Sequence, residues 1–249
     1  LYMSTKLTPK PVLGLEVFSA YSIMELTEIA DVGMVNEYAS HEDVYKEYRP
    51  KLQQLIRKLG PKGELKVKYK RKDGGRFYVT NQPTSSTTMW GAVRSGVYGS
   101  RDIDVDIVNC HPTILYQLMK TKQCDAFLPL LRQYVGDREA CLKQQSLPKK
   151  WAKSLLCGAM NGLNIHNLAA SSWATNRENK AFFVENPNWT PCKWWSTLHD
   201  DFGSLRQLLI RDKRVEELTT KHGWSNPVAM YLQHIETEHM LLVKAELER

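Results

Sequence analysis

The sequence predicts an α+β fold in which a small antiparallel sheet is combined with a larger set of helices. Three observations carry this. Leu65, Val67 and Tyr69 alternate with Lys66, Lys68 and Lys70, and the alternation resumes at Phe77 and Val79 across Asp73-Gly74-Gly75, the period-2 pattern of a hairpin. Residues 103–108 (Ile103-Asp104-Val105-Asp106-Ile107-Val108) read as a short strand that gives way to a helix at His111-Pro112. Elsewhere apolar residues recur at helical spacing over stretches too long for single strands.

In chain order, residues 1–60 read mostly as helix. Ser40-His41-Glu42-Asp43 resembles a capping box, and Tyr45, Tyr48, Leu52, Leu55, Ile56 and Leu59 follow at helical spacing until Gly60-Pro61-Lys62-Gly63 stops them. The hairpin comes next. Its polar face carries Lys66, Lys68, Lys70, Arg71, Lys72 and Arg76, which suits either a solvated edge strand kept from aggregating or a surface for an anionic partner. Residues 80–100 are loop-rich and reach Arg94. After the strand at 103–108, Pro112 fits the first turn of a helix, and Ile114, Leu115, Leu118 and Met119 give that helix a buried face.

Residues 125–145 read as helical. Ser146 is a fitting N-cap, with Pro148 in the first turn of a helix that runs through Lys149, Lys153, Cys157 and Asn161 to Gly162. Residues 163–190 are polar and irregular. A helix through Trp194 to Ile210 follows. The last helix runs from about Pro227, with Met230, Leu232, Ile235, Met240, Leu241 and Val243 as its apolar positions. The regions so defined are a helical 1–60, a hairpin-and-strand region 61–145, a helical region 146–225 and a returning helix 226–249.

The bulk numbers bound the function. The 249 residues carry 42% hydrophobic and 24% charged residues, an ordinary globular composition. No apolar run reaches membrane-spanning length and no secretory leader pattern is present, so the expectation is a protein that is not secreted and works in the cytoplasm or at a nucleoid or viral replication site. The first residue is Leu1, which reads as a piece cut from a longer polypeptide. A net charge of +7 favours an anionic partner such as nucleic acid. The cysteines Cys110, Cys124, Cys141, Cys157 and Cys192 form no CxxC pair, so the linear pattern offers no structural zinc site and reduced thiols are expected.

Two segments bear chemistry. Asp102, Asp104 and Asp106 alternate, so they can share one strand face, and carboxylates are the usual ligands for Mg²⁺ in phosphoryl transfer. Lys149, Lys153, Cys157 and Asn161 are spaced four apart. Each such step advances about 40° past a full helical turn, so the four trace one slow stripe. Two ammonium groups on one stripe can clamp phosphates, or can be the solvated side of an amphipathic helix.

In order, the chain presents Gly75-Arg76, Arg94, Asp106, Lys149-x3-Lys153-x7-Asn161-Gly162, and a later helix bearing Gln233. This resembles the polymerase core of family A, the DNA polymerase I family with its single-subunit phage-type RNA polymerase relatives. The Asp106-Ile107-Val108-Asn109-Cys110-His111-Pro112 form is similar to divergent viral or mobile-element members. The resemblance spans roughly residues 74–243 and implies a right-hand architecture, with an antiparallel palm sheet and helical fingers.

It further implies template-directed nucleotidyl transfer with Mg²⁺, on a DNA or RNA template-primer with nucleoside triphosphates, DNA synthesis being the expected chemistry. Asp106 would be the metal ligand and a catalytic residue, and Lys149 and Lys153 would hold the triphosphate, with Lys153 also catalytic. Cys157, Asn161 and Gly162 would line the nucleotide, Asn161 standing where the family places Tyr. Asn109 and His111 would face the substrate, His111 replacing a Glu that screens the 2′-OH. Arg76, Arg94 and Gln233 would touch primer or template. The family's second catalytic acid, in a His-Asp motif after the Gln233 helix, has no match before Arg249, and is expected beyond that residue. His199-Asp200-Asp201 falls before that helix, out of order, and reads as the start of a helix. Glu236 and Glu238 are the weaker acids. Two other functions fit the same residues: a non-catalytic polymerase-like nucleic-acid-binding module, and a metal-dependent nuclease built on Asp104, Asp106 and Asp200.

Overall fold

The computed structural model describes residues 23–41, 46–80, 84–99, 109–124, 128–143, 147–171, 174 and 177–247. It is a mixed α+β structure, mostly helical, with a three-stranded antiparallel sheet. The chain divides into two units, one within Glu16–Ile107 and the other within Val108–Arg249.

In the first unit, strand β1 (Ile23–Ile29) is followed by helices α1 (Val32–Ser40) and α2 (Arg49–Lys58), then strands β2 (Glu64–Arg71) and β3 (Phe77–Val79), and helix α3 (Gly91–Tyr98). β2 is central, with Leu26 opposite Val67 on one side and Tyr69 opposite Val79 on the other. The expected hairpin is present. Asp73 and Gly74 both take positive φ, 49° and 70°, and the Gly75 N–H donates to the Lys72 carbonyl at 2.9 Å, the mirror-image turn that matches strand twist. Leu65, Val67 and Tyr69 turn inward, while Lys66 and Lys70 are exposed and Lys68 pairs with Glu25 at 3.3 Å.

Residues 23–29 correct the helical reading of the N-terminal region. Met24 and Leu26 pack on the sheet's core side, and the next inward position is Glu28, only 8% exposed. A carboxylate there hides the alternation. Its burial is tolerated because the Tyr69 hydroxyl donates to it at 2.5 Å and the Ser86 N–H and hydroxyl donate at 2.7 and 3.1 Å. Burial raises the Tyr69 phenol, and its bond to Glu28 raises it further. The capping-box reading is also corrected: Ser40 ends α1, and α2 opens at Arg49 with Pro50 in its first turn. Asp31 is the cap that works, accepting the Met34 N–H at 3.0 Å.

Arg94 lies on helix α3 rather than in a loop. Val93 and Val97, one turn apart, seal that helix onto the core with Leu52, Leu55 and Val67. Gly96 lets it approach α1, for a Cβ there would sit 2.1 Å from the Tyr38 hydroxyl.

The second unit is helical: α4 (Cys110–Thr121), α5 (Pro129–Gly136), α6 (Arg138–Lys143), α7 (Lys149–Met160), α8 (Arg177–Glu185), α9 (Lys193–Ile210), α10 (Lys213–His222) and α11 (Pro227–Leu247). Ile114, Leu115 and Met119 of α4 are buried as expected, with Leu155 and Leu156 of α7, Leu198, Phe202, Leu205 and Leu209 of α9, and Leu232 and Ile235 of α11. Trp151, Phe182, Trp189 and Trp195 stack edge to face in a continuous chain, with centroid spacings of 5.6, 5.5 and 6.4 Å. Three expectations change. The helix foreseen over 125–145 is divided at Asp137 into α5 and α6, Pro148 precedes α7 instead of entering it, and α8 occupies part of the stretch read as irregular. The Asp102–Val108 segment lies outside the described residues. Among the described residues, no helix is long and apolar enough to cross a membrane.

Two predictions follow from these interiors. Glu28→Ala removes the acceptor of three hydrogen bonds and leaves the Tyr69 hydroxyl with only the Ser86 and Thr87 side chains, so chemical denaturation should show a loss of about 1–3 kcal/mol; an unchanged midpoint would contradict the buried network. Asp212 caps α10 through the Arg214 N–H at 3.0 Å and pairs with Lys122 at the end of α4. Burial raises its carboxyl, but the bonds from Lys122, Arg214 and Val215 outweigh this and leave it below the ordinary 3.8. A depressed folded value means this stability is fully present above the ordinary value and is lost as pH falls through the folded one. Asp212→Asn should therefore flatten the loss of stability below about pH 4, read by thermal denaturation across an acid pH series.

Candidate functional site

Helix α7 owes its position to one side. Trp151, Ala152, Leu155, Leu156, Ala159 and Met160 are buried, and the Trp151 indole N–H donates to Glu185 Oε2 at 2.7 Å. The other side carries Lys149, Lys153 and Cys157, all exposed, so the stripe read from the sequence is real and faces solvent. Asn161 caps the helix end, and Gly162 takes φ 99°.

Lys149 is not free. Its ammonium meets Glu139 Oε1 at 2.8 Å, and the same carboxylate oxygen meets Arg138 at 3.2 Å. Arg138 also donates to Asn109 Oδ1 at 2.7 Å. Asn109 in turn sits at the N-terminus of α4 in the left-handed region, φ 51° and ψ 39°, which Asn tolerates better than most residues. A polar chain therefore runs Asn109–Arg138–Glu139–Lys149, linking the start of α4 to the start of α7. The Lys149 hydrogen bond holds the Glu139 carboxyl below its usual range, with Arg138 assisting against some desolvation. Beside this chain the Tyr134 phenol is pushed up to about 12, chiefly by burial.

Lys153 makes no ion pair among the described residues. One turn on, the Cys157 thiol is raised by desolvation around the sulfur, opposed by Lys153, although the residue as a whole reaches water. Asn161 presents its carbonyl to Asn226 Nδ2 at 3.0 Å, while its side-chain Oδ1 is buried without a hydrogen-bond partner among the described residues. Gly162 lies against Arg206, whose Nη1 would be 2.1 Å from any Cβ built there.

The remaining candidates are dispersed. His111, in the first turn of α4, reaches Glu236 of α11 at 3.3 Å, with the Cys110 sulfur beside them. Gln233 is half-buried one turn earlier on α11. Arg76 and Arg94 are exposed in the first unit. Asp106 lies outside the described residues, as does Asp104.

His199-Asp200-Asp201 lies within α9, which begins at Lys193, so the expectation that it starts a helix is corrected. Burial raises the Asp201 carboxyl, and Asp200 adds to this. His199 and Asp200 gather with His166 into a second possible metal cluster. Sequence reasoning missed this group and the Cys110–His111–Glu236 one because each joins separate helical segments with no regular spacing.

No family model, curated protein or solved structure matches this chain.

A glycine at 162 is demanded twice, by its backbone angle and by Arg206. Gly162→Ala should cost about 1–3 kcal/mol in urea unfolding. Placing the same change in an Arg206→Ala background should recover only the crowding part of the loss.

Proposed function

We propose that the chain carries out template-directed nucleotidyl transfer, extending a nucleic-acid strand in the manner of a family A polymerase, with DNA synthesis favoured over RNA synthesis. The observation that supports this best is the solvent-facing ammonium stripe of α7, whose first lysine is joined through Glu139 and Arg138 to Asn109, three positions after Asp106 in sequence. On this reading the three-stranded sheet belongs to a palm and α7 to the fingers.

Lys153 is the stronger phosphate ligand, because an exposed ammonium that makes no ion pair among the described residues gives up least on meeting a triphosphate. Lys149 is held in place by Glu139 and shares its charge between that carboxylate and an incoming phosphate. Cys157 keeps its proton and offers a soft, uncharged surface where a base would lie. Asn161 and Gly162 end the helix tightly against α9. Mg²⁺ is the implied cofactor, and Asp106, a hard oxygen donor, is the residue that would hold it. When bound, it supplies Lewis-acid charge neutralisation at the phosphate under attack. The exposed lysines of β2, with Arg76 and Arg94, suit the backbone of a primer or template.

The test is primer extension by the full-length protein. Asp106→Ala should abolish extension, and Lys153→Ala should lower kcat/KM for nucleotide by about 10–100-fold with primer-template affinity unchanged. Extension untouched by Asp106→Ala ends the proposal. Salt-sensitive binding of nucleic acid with no extension under any condition would assign the chain instead to the non-catalytic binding modules.

A further inference from the structure

The packing of α4 against α11 brings together three side chains that the proposed polymerase chemistry does not require as a group. Cys110 and His111 occupy the first turn of α4, and Glu236 lies in the middle of α11. Sulfur, imidazole nitrogen and carboxylate oxygen all fall within 4.8 Å of one another. All three residues are half-buried, and they are drawn from positions 125 residues apart. His111 Nε2 and Glu236 Oε2 are separated by 3.3 Å. With metal–nitrogen and metal–oxygen bonds of about 2.0–2.2 Å, the edge of a tetrahedral shell is about 3.3–3.5 Å, so this pair already stands at ligand spacing. An ion pair between the helices would account for His111 and Glu236 by themselves. It gives no reason for a thiol beside them.

We infer that Cys110, His111 and Glu236 form a binding site for a borderline-soft divalent transition metal, Zn²⁺ being the best match, with water completing a four-coordinate shell. The donor set decides the metal class. A thiolate and an imidazole disfavour Mg²⁺ and Ca²⁺, which take oxygen ligands, and favour Zn²⁺ and its spectroscopic substitute Co²⁺. The thiol gives up its proton to solvent on binding, and its place in the opening turn of a helix, at the positive end of the helix dipole, favours the resulting thiolate. The metal would clamp the beginning of α4 to α11 and take His111 away from the sugar-facing role that the family resemblance implies. This inference stands on the cluster geometry and is independent of whether the chain polymerises.

The experiment is a titration of the reduced full-length protein with Co²⁺, without nucleotide or nucleic acid. One equivalent should bind with the visible bands of tetrahedral Co²⁺ and a sulfur-to-cobalt charge-transfer band, and Zn²⁺ should displace it. Cys110→Ser should remove the charge-transfer band. His111→Gln and Glu236→Gln should weaken binding by at least about 10-fold. Cys192→Ser, in an exposed cysteine outside the cluster, should leave the spectrum intact. A spectrum lacking the charge-transfer band, or a band that survives Cys110→Ser, overturns the inference. So does metal binding lost in His199→Gln but retained in His111→Gln, because the second cluster contains no sulfur. Should Cys110→Ser fail to fold, X-ray absorption at the zinc edge of the wild-type protein decides: one sulfur with nitrogen and oxygen ligands supports the site, and no sulfur removes it. Because nucleotide is absent throughout, failure here is distinct from failure of primer extension.

Discussion

The packing of α7 by one side only is the constraint on which the second unit's surface chemistry depends. Trp151, Leu155, Leu156 and Met160 enter the core, and each fully buried side chain of this size contributes about 1.5–3 kcal/mol. Their sum fixes the helix's rotation, and so compels Lys149, Lys153 and Cys157 to face solvent. The ion pairs that surround this face do not provide comparable energy. Lys149–Glu139 and Arg138–Glu139 meet at a solvent-exposed carboxylate, so both pairs are weak and screened by salt. Their value is orientation: they hold Lys149, whereas Lys153 makes no ion pair among the described residues.

Where sequence and structure agree, a short-range rule was sufficient. The β2–β3 hairpin was legible because period-2 alternation and a turn with Asp73 and Gly74 at positive φ are both local properties. Helices α4 and α11 were legible from apolar spacing, and α7 from Pro148 and Gly162 at its ends. Strand β1 was not, because Glu28 occupies an inward position and its partners, Tyr69 and Ser86, lie far along the chain. Helix α3 was hidden by its shortness and by Gly91 and Gly96, the latter needed for Tyr38. Of the candidate site, the lysine stripe could be read from the sequence. The pairing of Lys149 with Glu139, of Asn109 with Arg138, and of His111 with Glu236 could not, since each depends on which helices pack together. The Asp106 carboxylate lies outside the described residues, so its reading stays where the sequence left it.

The two possible metal clusters illustrate why composition underdetermines chemistry. Scattered cysteines with no CxxC spacing argue against a zinc finger, and that remains sound for ligands supplied by one loop. Helix packing supplies ligands differently. Cys110 and His111 are adjacent in sequence, but Glu236 reaches them only because α4 and α11 share a core that includes Leu115, Leu232 and Ile235. By contrast, His166, His199 and Asp200 form a surface group whose carboxylate side chain is 77% exposed, where hydration competes with coordination.

The two ends of α7 are anchored very differently. At the trailing end, the Arg206 guanidinium presses on the bare Cα of Gly162, and Asn226 grips the Asn161 carbonyl. At the leading end, beyond the buried Trp151, the lysine is tethered by solvent-screened charge alone. The backbone is therefore held at both ends, by Gly162 at the tail and by the buried Leu147 and Trp151 at the head, and the freedom left on this face belongs to a side chain: the Lys149 ammonium can exchange Glu139 for another anion without any movement of the helix axis.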